Sequence, residues 1–307
     1  MTPPAPPFAA LPFAERLRVR DLVVRRLRRW FHERGYLEVE TPQRVACPGI
    51  DAHIDALPAG EGLYLATSPE LEMKKLLAAG CRRIVQVARA FRADERGERH
   101  NAEFTLLEWY AADEDYRDLM ASTEALVAEA AAVLEDEGIS TRLASWPRPF
   151  ARLGVDEAFE RWAGWRPSQA FDEERFFEDF VTRIEARLES LGAVFLADWP
   201  APAGALARRS AGDPMICERM ELILDGVEIC NGFSELTDAG EQQERFERDN
   251  AERVRRGKAP YPLDQRFLDA LTSGIPACAG NALGIDRLLM ALTGSRRLAD
   301  VTLLAGR

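Results

Sequence analysis

Phe91-Arg92-Ala93-Asp94-Glu95-Arg96-Gly97-Glu98-Arg99-His100-Asn101-Ala102-Glu103-Phe104-Thr105-Leu106-Leu107-Glu108-Trp109-Tyr110 is the densest polar segment of this chain. Its apolar ends and charged middle predict a strand, a loop and a returning strand. That hairpin would bring Arg92, Arg99, Glu103 and Glu108 near one surface. An arginine fork donates two parallel hydrogen bonds and so suits phosphate oxygens. The same pattern also describes a solvated hairpin tip, so the segment needs company before it means a site.

Two other segments supply that company. Residues 219 to 236 read as two strands across Asp225-Gly226, a hairpin signal. They carry Glu221, Glu228 and Glu235, with Asn231-Gly232-Phe233 between the last two. Clustered carboxylates can hold magnesium, which keeps waters and bridges substrate phosphates. The third segment is Gly280-Asn281-Ala282-Leu283-Gly284-Ile285-Asp286-Arg287, where glycine permits close backbone approach and Arg287 opens a helix. The chain contains neither a P-loop nor a GxGxxG, so a nucleotide would have to bind some other way.

Outward from these segments, residues 14 to 35 predict a helix, with Leu17, Leu22, Val23, Leu27, Trp30 and Phe31 at roughly helical spacing. Arg16, Arg18, Arg20, Arg25, Arg26, Arg28 and Arg29 fill much of the remainder, either as a solvated face or as a docking surface for an acidic partner. Gly35 ends that helix, and 36 to 39 predict a strand stopped by Pro42. A helix starts after an N-cap at Ser68 with Pro69 in its first turn, and Gly80 ends it. Residues 84 to 87 predict a strand, and 114 to 137, 240 to 257 and the end of 280 to 293 predict helices. Residues 140 to 215 read only as helices and loops covering a core. Strands joined by short turns, with helices inserted, indicate an α+β fold.

Composition narrows the class. The chain has 307 residues, 47% of them apolar, enough for a sizeable core. Its five cysteines form no C-x-x-C pair, which points to a reducing compartment rather than a disulfide framework or zinc site. No run reaches the ~18 apolar residues of a membrane span, and the Pro-rich start lacks a signal-peptide pattern. A cytoplasmic protein is expected. The formal net charge of -11 argues against extensive binding of nucleic-acid phosphates.

Together the three segments resemble motif 2, the carboxylate segment and motif 3 of class II lysyl-tRNA synthetases. Arg34-Gly35-Tyr36-Leu37-Glu38-Val39-Glu40-Thr41-Pro42 resembles motif 1, the dimer interface, and Thr67-Ser68-Pro69-Glu70 resembles the amino-acid-binding segment. The five segments occur in the family's order, between about residues 14 and 303. Within the family, Asn231-Gly232-Phe233-Ser234-Glu235-Leu236-Thr237-Asp238-Ala239, the following Glu241-Gln242-Gln243 and Arg245-Phe246-Glu247, and Ala282 are most similar to the elongation factor P lysine ligases. Asp94 departs from the usual Glu, and Ser234 from the His of the best-known ligases.

The resemblance implies a class II catalytic core, an antiparallel sheet flanked by helices, over 13 to 307, preceded by a disordered tail at 1 to 12. Motif 1 begins too early to leave room for an N-terminal anticodon-binding OB domain of roughly 100 residues. It implies ATP and Mg2+, a homodimer, no stable tRNA binding, and elongation factor P as acceptor of lysine or (R)-β-lysine. Arg92 and Arg287 would be catalytic, on the α- and γ-phosphates. Asp94, Arg99, His100, Asn101, Phe104, Ile229 and Gly284 would complete the ATP site with Glu228, and Phe104 would stack on adenine. Glu221 and Glu228 would hold the metal. Ser68, Pro69, Glu70, Glu108, Tyr110, Asn231, Phe233, Glu235 and Ala282 would form the amino-acid pocket, with Glu108 on the side-chain ammonium. Ala282, where the tRNA synthetases carry Gly, would favour β-lysine. The competing expectations are an enzyme that charges tRNA or a carrier protein with lysine, and a non-catalytic sensor of amino acids.

Overall fold

The structure is a computed structural model that describes residues 7–93, 95 and 97–302. Its centre is one sheet of eight strands. In spatial order these are β1 (Leu37–Glu38), β4 (Arg83–Phe91), β5 (Glu103–Ala112), β10 (Cys278–Gly284), β9 (Val227–Ser234), β8 (Ile216–Leu224), β7 (Ala193–Pro200) and β6 (Ala151–Gly154). Only the outermost pairs, β1 with β4 and β6 with β7, are parallel. A two-stranded ladder, β2 (Arg44–Val45) with β3 (Tyr64–Leu65), lies outside it. The α+β core with an antiparallel sheet is therefore what the sequence implied.

Period-two alternation assigns the faces of the central strands. Leu107, Trp109 and Ala111 of β5, with Ala279 and Leu283 of β10, enter the main core. α1 (Phe13–His32), α3 (Tyr116–Asp136) and α9 (Ile285–Thr293) cover that face. Burying one such large side chain contributes about 1.5–3 kcal/mol. The opposite face carries Glu108 and Tyr110 and is flanked by α2 (Glu70–Ala78), α7 (Ala239–Arg255) and α8 (Gln265–Gly274), whose apolar sides form a second core. α4 (Val155–Ala163), α5 (Glu173–Asp179), a π-helical turn at Phe180–Ile184 and α6 (Glu185–Ser190) pack on the β6–β7 end around Phe159 and Phe176.

The local signals explain the element ends. Gly35 at φ 74° follows α1. Asp115 caps α3, accepting from the backbone N–H groups of Arg117 and Asp118. Asp225 at φ 47° and Gly226 at φ 76° make the expected β8–β9 turn. Ser68 accepts the N–H of Glu70 at 3.3 Å, although Pro69 is the capping position of α2.

Three expectations need correction. Phe8, read as disordered tail, is 1% exposed in the main core, within a 3-10 turn at Phe8–Ala10. Its ring outweighs the proline-rich context by burying apolar area. Residues 140 to 215 contain β6 and β7 as well as helices and loops. β7 is buried along nearly its whole length, so it lacks the alternation that marks a half-exposed strand. Glu103 pairs outward with Arg89 at 3.7 Å, because it alternates in facing with Glu108 five residues on.

Candidate active site

β5, β10, β9 and β8 form the floor of a cavity of about 360 Å3. Its walls include Arg92, Arg99, His100, Asn101 and Phe104 from the β4–β5 hairpin, and Glu108 and Tyr110 further along β5. Glu221, Glu228, Ile229, Asn231 and Phe233 come from β8 and β9, and Ala282, Gly284 and Arg287 from β10 and α9. Ser68 and Glu70 arrive from the start of α2. Segments far apart in the chain thus meet because antiparallel pairing brings strands β5, β10 and β9 side by side. Pro69 and Glu235 do not line the cavity. Pro69 is turned into the capping position of α2, and Glu235 is buried beside Gly280 and Tyr110, paired with Lys74. Asp94 falls outside the described residues.

One end of the cavity is rich in arginine, and Arg92 and Arg287 each pair with a neighbouring carboxylate. Arg92 Nη1 lies 3.3 Å from Glu95 Oε1, and its guanidinium is 5.0 Å from the Phe104 ring centre. Arg287 Nη1 is 3.2 Å from Glu228 Oε2. The imidazole of His100 is held below its ordinary pKa by burial first, then by the Arg287 charge. Asn101 donates to the Glu103 carbonyl at 2.7 Å, tightening the hairpin tip.

Arg219 was not singled out from the sequence. Its Nη2 reaches Glu221 Oε1 at 2.6 Å, its Nε donates to Asn231 Oδ1 at 3.1 Å, and its head lies 4.1 Å from the Trp199 ring centre. It thereby fixes a carboxylate and an amide of the cavity wall. The available signal was its place two residues before Glu221 on one strand face. Burial pushes Glu221 up, Arg219 opposes this, and Glu228 adds to it.

The described residues contain no group of three or more His, Cys, Asp or Glu able to hold a metal. Glu221 and Glu228 provide only two carboxylates. Magnesium commonly takes one or two, completing its shell with phosphate and water, so the donor set fits a metal that arrives with a nucleotide.

The other end of the cavity is buried and acidic. Tyr110 donates to Glu108 Oε1 at 2.7 Å. Glu108 Oε2 is buried and has no hydrogen-bond partner among the described residues. Burial pushes the Glu108 pKa up to about 8, helped by the nearby Glu70 charge. A buried acceptor without a donor costs free energy, which a ligand donor would recover. Gly280 is required here. A side chain there would overlap the Tyr110 ring and come within 2.5 Å of Glu235 Oε1. Ala282, two residues on and facing the same way, sits in register between Glu108 and Asn231 with room for its methyl group.

Ser234 lies on the other face. It is fully buried, and its Oγ accepts the Tyr116 N–H at 3.1 Å at the start of α3. The departure from His at this position is therefore a core feature and leaves the pocket lining unchanged.

The model of the family "tRNA synthetases class II (D, K and N)" matches residues 11–306. The chain belongs to this family. Among class II proteins, this synthetase-like chain is similar to ones named elongation factor P–(R)-β-lysine ligase from Salmonella paratyphi B (strain ATCC BAA-1250 / SPB7), Salmonella schwarzengrund (strain CVM19633) and Salmonella heidelberg (strain SL476). Identity to each is 38% over 317 aligned positions, covering 96% of this chain and 95% of the relative.

Proposed function

We propose that this protein activates (R)-β-lysine, or lysine, with ATP and transfers it to a lysine side chain of elongation factor P. The observation that carries this reading is Glu108 Oε2, a buried acceptor without a partner among the described residues, in a cavity whose other end is lined by Arg92 and Arg287. A ligand with an ammonium at one end and a carboxylate near a nucleotide at the other matches both ends. The Salmonella relatives supply the acceptor by their names.

In the first step a carboxylate oxygen of the amino acid bonds to the α-phosphorus, and the bond to pyrophosphate breaks. Arg92 stabilises the charge that grows on the α-phosphate, acting as a preplaced cation. Arg287 holds the γ-phosphate end, and Phe104 stacks on adenine with Asn101, His100, Arg99, Ile229 and Gly284 around the nucleotide. Asp94 belongs to the same set. Glu221 and Glu228 would hold magnesium, which when bound would neutralise phosphate charge on the leaving group. For this, Arg287 must leave Glu228, and Glu221 must share Arg219 or release it. Glu108, Tyr110, Glu235 and Glu70 hold the amines, while Ser68, Asn231, Phe233 and Ala282 shape the remaining wall. In the second step a neutral amine of the acceptor attacks the activated carbonyl, AMP leaves, and the amine gives its proton to solvent.

The test is ATP–pyrophosphate exchange. The two lysine isomers should support it, and norleucine, which lacks the terminal amine, should not. Equal exchange with norleucine would remove the ammonium site from the reading.

A further inference from the structure

Lys74 is 1% exposed, and its ammonium lies 2.6 Å from Glu70 Oε1 and 2.6 Å from Glu235 Oε2. It also lies 5.1 Å from the centre of the Phe233 ring. Burial alone would lower its pKa most, but the two carboxylates outweigh burial and hold it above the ordinary lysine range. The lysine is therefore charged, and a buried charge of this kind persists only when well paired.

The two carboxylates it bridges belong to different parts of the site. Glu70 lines the cavity at the start of α2. Glu235 follows β9, and its Oε1 has no hydrogen-bond partner among the described residues. That oxygen and the Tyr110 ring lie over the same glycine, Gly280, and Tyr110 in turn holds Glu108. Glu235 Oε1 and Glu108 Oε2 are thus two buried acceptors grouped around Tyr110, awaiting donors. Glu70 reaches the same group through Lys74, close enough for its charge to act on Glu108.

We infer that Lys74 is a positioning residue that ties Glu70 to Glu235 and so fixes the separation of the two sites reading the substrate's two amines. This rests on the diamino-acid reading above. In (R)-β-lysine the two amines are one carbon closer than in lysine, so a fixed separation discriminates between them. A flexible pair of carboxylates would accept both.

The experiment is pyrophosphate exchange by Lys74→Met and Lys74→Arg, with kcat and KM measured for each lysine isomer and for ATP. The wild type should favour (R)-β-lysine. Lys74→Met should raise KM for the preferred isomer and bring the ratio of kcat/KM values about tenfold closer to one, the scale of a one-carbon discrimination. Lys74→Arg keeps the charge but has a wider, planar head. It should move the same ratio in the same direction by a smaller factor. KM for ATP should change less than about twofold in both, whereas a general loosening of the fold would move it too. A folded Met or Arg variant with the wild-type isomer ratio overturns the inference. Lys74→Arg retains the buried cation and serves if Lys74→Met fails to fold. A wild type that activates neither isomer contradicts the diamino-acid reading itself, and the tie with it. A wild type that is active but whose variants keep its ratio contradicts only the tie.

Discussion

At the scale of single residues, the pocket's chemistry lies in carboxyl groups that resist ionisation. Glu108 is pushed up to about 8 by burial first and then by the nearby Glu70 charge. Between the ordinary carboxylate range and about pH 8, the folded state holds a proton that the unfolded chain has lost. Stability from this source is therefore complete at low pH and falls as pH rises towards 8. Thermal melts of the free protein should show Tm declining from pH 6 to 8.5, with a shallower decline in Glu108→Gln, whose amide has no proton to lose. An equal slope in that variant would place the titration elsewhere. Ala282→Gly removes a methyl group from a close-packed wall, a change that discriminates by only about 1–3 kcal/mol. It should shift the isomer ratio towards α-lysine by roughly tenfold while preserving activity. An unchanged ratio would clear Ala282 of any part in selectivity. With the proposed magnesium role for Glu228, Glu228→Gln should reduce adenylate formation about a hundredfold, read by exchange rate, without lowering Tm. A wild-type rate would remove Glu228 from the site.

At the scale of elements, Ser234 separates packing from selectivity. Its hydroxyl accepts the N–H of Tyr116 on the core side of β9. Ser234→Ala leaves that N–H without its partner and should cost about 1–3 kcal/mol in urea unfolding. The isomer ratio in exchange should stay at the wild-type value, and a shifted ratio would mean that the residue reaches the pocket. The sequence revealed the β4–β5 hairpin, the Asp225-Gly226 turn and the helices α1, α3 and α7, because each carries a local signal. β7 and β10 were harder to read. β7 is buried on both faces and loses the alternating pattern, and the glycines of β10 showed only that backbone approaches closely, not that Gly280 clears space for Tyr110. Most of the residues expected from motif order line the cavity. Arg219 and Lys74 were not legible in the sequence, since their meaning lies in which carboxylates they touch.

At the scale of the whole molecule, most of the arginines of α1 find partners inside the protein. Arg18 pairs with Glu137, Arg20 with Asp286, Arg26 with Glu129 and Arg28 with Glu38. They tie α1 to α3, to the start of α9 and to β1, which removes the main reason for reading them as a surface for an acidic partner. With a net charge of -11, this favours a protein acceptor over tRNA. The motif 1 stretch places Leu37, 58% exposed, on the short edge strand β1. A twofold homodimer using the same patch on both subunits would cover it. Light scattering at micromolar concentration should give a dimer mass, and full activity from a monomer would contradict this assembly. The most direct test of the central claim is the intact mass of elongation factor P after incubation with the enzyme, ATP, magnesium and (R)-β-lysine. The account requires a gain of one lysyl residue on a lysine side chain, dependent on ATP and abolished by Arg92→Ala. Pyrophosphate exchange without that gain, together with labelled tRNA in a parallel reaction, would contradict it.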